Sequence, residues 1–245
     1  MSLDKITYKH VIYDIIGRIF LIRNGVVLFY NGNVEQQRVF NLTRRIKDET
    51  EALMSYTEAY QLFRAAQAAA KIEGDMAEVG VYKGGSARII CEAKGSKPIH
   101  LFDTFEGLPQ MGEVDDQKKL FKGKFNVSFE EVKERLKQYP KVHFYKGFFP
   151  ATAKPVEDKK FSFVNLDVDL YESTLAGLNF FYPRMNEGGI IMSHDYANLS
   201  GVKKAFDEFF GDKPEPVVEL SGAQCLTIKI SEKGIGRFGG VVGFR

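Results

Sequence analysis

The strongest constraint in this chain is an alternation: a short apolar run, then a helix-patterned stretch, repeated several times. "DMAEVGV" reads as a buried strand, "SARIICEAKG" as a helix with Ser86 at its start and Gly95 at its end, and "KPIHLFD" as the next strand. Such a unit predicts parallel strands joined by a right-handed crossover. The alternation continues. "SFEEVKERLKQYP" opens on a capping box, Ser128 with Glu131, and stops at Pro140. "KVHFYKG" and "FSFVNLD" are strands three and four, "STLAGLNFFYPRM" a helix, "GGIIMSHD" strand five, and "GVKKAFDEFFG" a helix. Upstream, "SYTEAYQLFRAAQAAAKIEG" is a helix with a capping box at Ser55 and Glu58 and a stop at Gly74. The C-terminal end changes character: "EPVVEL", "SGAQ" and "CLTIKIS" read as two strands and a glycine turn, a hairpin. The expected fold class is therefore α/β, with a mostly parallel sheet and an antiparallel strand at its C-terminal end.

Length and composition narrow the function classes. The chain has 245 residues, which suits one α/β domain with an N-terminal extension over residues 1–50 and the main domain over residues 51–245. A net charge of +2 gives no argument for nucleic acid or an anionic membrane surface as partner. Cys91 and Cys225 lie far apart with no CxxC pattern and read as buried reduced thiols. No secretion signal opens the chain, so a cytoplasmic location is expected. The apolar stretch "VIYDIIGRIFLIRNGVVLFY" is interrupted by Asp14, Arg18 and Arg23 and broken by Gly17 and Gly25. A spanning helix needs roughly 20 mostly apolar residues, so this segment is read as an amphipathic element that packs on the domain or on a second subunit of a homo-oligomer.

In an open α/β sheet, ligands bind at the carboxyl ends of the strands. The polar residues there are not scattered. Strand one ends at Glu78, Gly80, Tyr82, Gly84, Gly85 and Ser86; strand two at Asp103; strand three at Gly147 and Phe148. Strand four ends at Asp167, Asp169, Tyr171 and Glu172, and strand five at His194, Asp195 and Tyr196. The glycine loop matches neither the phosphate-binding loop, since Ser86 stands where its lysine should be, nor the dinucleotide loop, since position 82 is tyrosine. Read alone, it is equally a tight strand-to-helix turn. Asp103 at the end of strand two can accept ribose hydroxyls, and loop and acid together suggest a nucleoside held without phosphate recognition. Asp167 and Asp195 repel each other unless a cation or proton intervenes, so with His194 they form a candidate metal site; solvated strand-end acids are the alternative. His194 is also a candidate general base. His100 and His143, away from this edge, read as structural, and Phe206, Phe209 and Phe210 as core. The aperiodic stretch from Phe105 to Val127 is long enough to be functional, as a lid or an acceptor wall.

Taken together, "GDMAEVGVYKGGSARIICEAKG", "LFDTFEGLP", "FVNLDVDLYEST" and "GGIIMSHDY" resemble the macrocin O-methyltransferase family, from about Asp48 to Ile230. Members are class I enzymes that use S-adenosylmethionine, several of them methylating sugar hydroxyls of natural products. The resemblance implies a Rossmann-like, seven-stranded sheet with helices on both faces. It implies that Glu78, Gly80, Tyr82, Gly84, Gly85 and Ser86 hold the methionine end of the cofactor. Asp103 and Thr104 would meet the ribose, Gly147 and Phe148 would lie near the adenine, and Asp167 near the amino group. It further implies a divalent cation, typically magnesium, on Asp167 and Asp195. The family motif after strand five often reads Asp-Asp-Tyr; here it is His194-Asp195-Tyr196. Magnesium prefers oxygen ligands, whereas imidazole suits softer metals, so the ion and the part played by His194 stay open.

The mechanism expected from these residues is in-line transfer of a methyl group to a hydroxyl of a small-molecule acceptor. Asp167, Asp169 and His194 are the catalytic candidates: a metal on Asp167 and Asp195 would acidify the hydroxyl, and His194 or Asp169 would accept its proton. Two other classes stay open: a nicotinamide-dependent oxidoreductase, and a non-catalytic nucleoside-binding protein of the same fold.

Overall fold

The computed structural model describes residues 34–50 and 53–231. The apolar segment read from residues 11–30, and with it most of the extension expected to pack on the domain or on a second subunit, lies outside the described residues. The chain divides into a unit Met1–Arg38 and a unit Val39–Arg245. Every strand expected from the sequence is present: β1 (Asp75–Val79), β2 (Ile99–Asp103), β3 (Val142–Lys146), β4 (Phe161–Leu166), β5 (Met185–Ser193), β6 (Val218–Glu219) and β7 (Cys225–Ile228). They form one seven-stranded sheet in the order β3-β2-β1-β4-β5-β7-β6. Pairing is parallel from β3 through β5, and β7 runs antiparallel to both β5 and β6.

The helices are α1 (Val34–Thr50), α2 (Tyr56–Ala69), α3 (Gly85–Ala93), α4 (Phe129–Leu136), α5 (Tyr171–Phe181) and α6 (Ser200–Phe210). They cover both faces, and the period-two alternation of each strand feeds both cores. Met76, Leu101, Phe163 and Met192 point to one face, against Leu42 and Ile46 of α1, Leu62 of α2, Ile89 of α3 and Val132 of α4. Their neighbours Ala77, Phe102, Val164 and Ile191 point to the other, against Leu178 and Phe181 of α5 and Val202 and Phe206 of α6. All six residues of β4 are buried, the polar Ser162 and Asn165 among them, as befits a central parallel strand covered on both faces. Phe206 and Phe210 are core and Cys91 and Cys225 are buried free thiols, as expected, while Phe209 is half-buried and packs against that core.

The capping boxes differ in outcome. Ser55 and Glu58 cap α2 reciprocally, with Ser55 N–H donating to Glu58 Oε2 at 2.7 Å and Glu58 N–H to Ser55 Oγ at 3.2 Å. At α4 only half the box forms: Glu131 N–H donates to Ser128 Oγ at 3.4 Å, while the Glu131 carboxylate pairs with Arg135. The helix after β4 begins at Tyr171, two residues before the expected start, because Asp115 of the long loop accepts the Tyr171 N–H at 2.8 Å. The same loop sends Asp116 to the Ser200 N–H of α6 at 2.8 Å. Carboxylates at two helix N-termini pin this stretch, where bare N–H groups and the helix dipole favour negative charge.

Strand order reverses direction between β1 and β4, the topological switch point where open α/β sheets carry their ligand crevice. There the backbones come very close. A Cβ on Gly80, whose φ is +86°, would stand 1.8 Å from the Asp167 carbonyl oxygen, so only glycine lets the β1 loop pass the end of β4.

Candidate active site

A cavity of about 510 Å³ opens at this carboxyl edge. Gly80, Tyr82, Gly85, Ser86, Asp103, Thr104, Gly147, Phe148, Asp167, Asp169, His194 and Asp195, all singled out from the sequence, line it. Of the residues expected to hold the cofactor, two do not. Glu78 lies beneath the loop, fully buried, and Gly84 is the left-handed N-cap of α3, where an added Cβ would face Val132 and Leu136 of α4. The long loop supplies a wall through Leu108, Lys119, Leu120, Lys124 and Phe125.

Backbone strain concentrates at this edge. A left-handed non-glycine residue stands just past the end of each of β1, β2, β4 and β5: Tyr82 (φ 47°), Phe105 (φ 57°), Asp169 (φ 60°) and Asp195 (φ 61°). Each costs about 1–3 kcal/mol and persists only because the surrounding packing overdetermines it, a pattern typical of functional sites.

Asp103 orders the loop. Its Oδ2 accepts the N–H groups of Val81 at 2.7 Å and Tyr82 at 2.9 Å, and its Oδ1 accepts that of Phe105 at 2.6 Å. A carboxylate has about four lone-pair sites, so one is left for a ligand hydroxyl rather than the two expected for a ribose pair. Thr104 Oγ is taken up in the turn, donating to the Gly107 carbonyl and accepting the Glu106 N–H. Glu78 Oε1 accepts from Asn165 Nδ2 at 2.8 Å, and its Oε2 is buried without a partner. Burial, opposed by the nearby Asn165 and Ser86 side chains, pushes the Glu78 carboxyl up to about 8. Phe148 is half exposed on the rim and offers a flat apolar face.

The charged cluster is centred on His194. Its Nδ1 lies 2.7 Å from Asp195 Oδ2 and 3.7 Å from Asp167 Oδ1, and its Nε2 lies 3.6 Å from Glu58 Oε1. At 3.6 Å the last is a charge contact rather than a hydrogen bond, and Nε2 is buried with no hydrogen-bond partner. Burial opposes a charged imidazole, but the Asp167 charge and the Asp195 and Glu58 contacts outweigh it and push its pKa up to about 11. Asp167 rises to about 6, through burial and the Asp195 and Glu58 charges, against the pull of His194. Asp169, which faces the cavity, is raised well above the usual carboxylate range by burial and then by Asp167 and Asp195.

Glu58 is the residue sequence reasoning missed. It is buried on α2, and its capping box accounts for only one of its oxygens; Oε1 accepts the Ala223 N–H at 2.9 Å and faces His194. Burial opposes its ionisation, but His194 and the Ser55 and Ala223 amides overcome this and lower its pKa. The only local signal was a carboxylate in a first helical turn, which a cap already explains. The tyrosine of the His-Asp-Tyr motif serves the fold: Tyr196 is buried and its hydroxyl donates to Asp207 of α6 at 2.7 Å.

Asp167, His194 and Asp195 each offer a ligand atom, and these atoms lie within 4.8 Å of one another. Their chemistry does not fit magnesium. That ion takes an octahedron of oxygens at about 2.0–2.1 Å, while here one of the three converging donors is an imidazole nitrogen already hydrogen-bonded to Asp195.

Comparison with known proteins agrees with this architecture. The macrocin-O-methyltransferase (TylF) family model matches residues 57–218. A 4'-O-methyltransferase of Streptomyces olivaceus acting on 8-demethyl-8-(2,3-dimethoxy-alpha-L-rhamnosyl)-tetracenomycin-C is 30% identical over 168 residues, 62% of this chain and 64% of the relative. The demethyldecarbamoylnovobiocin O-methyltransferase of Streptomyces niveus is 31% identical over 153 residues, 56% and 58% of the two chains. The chain thus spans somewhat under two thirds of these relatives' length. Among solved structures, the O-methyltransferase NovP superposes with a TM-score of 0.64 at 23% identity, covering 74% of this chain and 82% of that one, which shows the same fold.

Proposed function

This chain belongs to the macrocin O-methyltransferase family, and on that premise we propose that it transfers a methyl group from S-adenosylmethionine to a hydroxyl of a small glycosylated molecule. The observation that carries this reading is the cavity at the switch point, where the glycine loop after β1 and the carboxylates of Asp167 and Asp169 face one space. The sulfonium cofactor supplies an already activated methyl group. The chain's work is then positioning, for which oriented systems reach effective molarities of about 10⁵–10⁸ M. Gly80, Tyr82, Gly85 and Ser86 form the loop that holds the amino-acid end, and Glu78, whose Oε2 has no hydrogen-bond partner, lies beneath it. Asp103 takes one ribose hydroxyl, and Phe148 covers the adenine.

Asp169 is the proton acceptor. It lines the cavity, and burial with the Asp167 and Asp195 charges raises its pKa, which makes the carboxylate a stronger base. His194 does not fill that part, because both ring nitrogens face carboxylate oxygens. The acceptor lies against Lys124, Phe125 and Leu108 of the long loop. The sugar class follows from the two relatives, whose names specify a rhamnosylated and a novobiocin-type substrate. Among the described residues no helix is long and apolar enough to cross a membrane.

Calorimetric titration with S-adenosylhomocysteine, with NAD as control, tests the cofactor: micromolar binding of the first and none of the second is expected, and binding of NAD alone would restore the oxidoreductase reading. Turnover on a panel of rhamnosylated acceptors separates an enzyme from a binding protein of the same fold. Asp167→Ala is expected to abolish methyl transfer while the melting transition stays cooperative; a fully active variant removes Asp167 from the mechanism.

A further inference from the structure

We propose that His194 occupies the cation position of this site as a fixed positive charge among Asp167, Asp195 and Glu58, so that methyl transfer here needs no divalent metal. The inference rests on the methyltransferase reading above for its consequence, but on the side-chain geometry for its substance.

Both ring nitrogens face carboxylate oxygens: Nδ1 faces Asp195 at 2.7 Å and Asp167 at 3.7 Å, and Nε2 faces Glu58 at 3.6 Å. A neutral imidazole carries one N–H and one lone pair, so it would present that lone pair to an oxygen anion. An imidazolium carries two N–H groups on opposite sides of the ring, and this arrangement asks for both. Three carboxylates around one point repel unless a positive charge stands between them. Here a side chain already stands there, placed by β5 and held by its own backbone N–H to the Leu166 carbonyl at 3.2 Å.

Glu58 makes the arrangement specific. It comes from α2, outside the strand-end set, and its carboxylate is aimed by the Ser55 and Ala223 amides rather than by His194. A metal held by Asp167 and Asp195 would have no need of a carboxylate behind the histidine; an imidazolium does, because it presents a second N–H on that side. Glu58 is thus a positioning residue for the charge.

The reaction balances without an ion. The acceptor oxygen bonds the methyl carbon, the carbon–sulfur bond breaks, and the sulfonium becomes a neutral thioether. The hydroxyl proton goes to Asp169, and the neighbouring imidazolium offsets negative charge developing on the oxygen, as preorganised charge does in a water-poor site.

The test measures metal binding directly. Wild-type protein stripped with EDTA is titrated calorimetrically with Mg²⁺, Mn²⁺ and Zn²⁺, and separately with S-adenosylhomocysteine in EDTA. Wild type is expected to bind none of the three ions at submillimolar concentration, and His194→Asp, which restores an all-oxygen set, is expected to gain Mn²⁺ binding. Submillimolar binding by wild type that Asp195→Asn abolishes would overturn the proposal. Should His194→Asp fail to fold, nitrogen NMR of the wild-type ring decides: two protonated ring nitrogens are expected, and a neutral or metal-bound ring overturns it. Loss of S-adenosylhomocysteine binding would strike the methyltransferase reading alone, because the ion titrations and the ring signature read out independently of it.

Discussion

Two histidines sit on the same sheet and are treated in opposite ways. His100, on β2, is 2% exposed and fully satisfied: Nδ1 bonds to the Tyr145 hydroxyl at 3.0 Å and Nε2 to Asp75 at 2.9 Å. It stacks on His143 with ring centroids 5.1 Å apart. Burial outweighs the Asp75 partner and depresses its pKa. His194, at the carboxyl end of β5, meets three carboxylates, leaves Nε2 without a hydrogen bond, and is shifted upward. One histidine is held toward its neutral form and completes the fold; the other is held toward its charged form and lines a cavity. The difference is in the number of acids within reach, since burial alone lowers both. An unsatisfied buried polar atom beside a cavity marks the functional end of this sheet, and a satisfied network marks the structural end.

The largest effect that would break this contrast is at His194. His194→Gln fills similar space without the charge, and methyl transfer should fall about 10²–10³-fold, the usual loss when one preorganised electrostatic group is removed. Single-turnover rates with labelled cofactor measure it. A variant that turns over normally would make His194 as structural as His100. The mirror experiment comes next. His100→Ala leaves its half-buried partners Asp75 and Tyr145 without their histidine and should cost about 1–3 kcal/mol in urea denaturation while leaving turnover intact.

A pH series sharpens the same contrast. The folded pKa of His100 lies below its ordinary value of 6.5, so its contribution to stability is present above that value and is lost as pH falls through the folded pKa. Wild type should therefore lose stability below pH 6.5 more steeply than His100→Ala does, and parallel profiles would remove His100 as the cause. The smallest effect is at Lys159, whose amine lies 2.9 Å from Asp75 but is 42% exposed. Lys159→Met should shift stability by about 0.2–1 kcal/mol, a shift that shrinks further in high salt.

Much of this was legible in the chain because parallel strands covered on both faces become apolar runs, and a polar residue at the end of such a run has no core reason to be there. Gly80, Asp103, Asp167, Asp169, His194 and Asp195 were all found that way, and all line the cavity. Glu78 and Gly84 were grouped with them by adjacency, yet one lies under the loop and the other packs on α4. Strand-end position sets the height of a residue, not the side it faces. The Ser128 box half-formed because Glu131 found Arg135 on its own helix, a competition within one turn that the capping pattern does not weigh. The long loop gave no periodic signal because Asp115 and Asp116 hold it to the N-termini of α5 and α6, contacts that leave no period in the sequence.

The sequence by itself determined the strand and helix order, the C-terminal hairpin, the family, and the edge of the sheet that carries the chemistry. These follow from local periodicity and from which residue types tolerate burial. Only the tertiary structure decided what the edge does with its charges. Glu58 reaches the site because α2 folds back on the turn after β6, where its carboxylate meets an amide 165 residues away. The electrostatics of His194 depend on that distant acid as well as on its sequence neighbours, and charge interactions fall with distance through space, not along the chain.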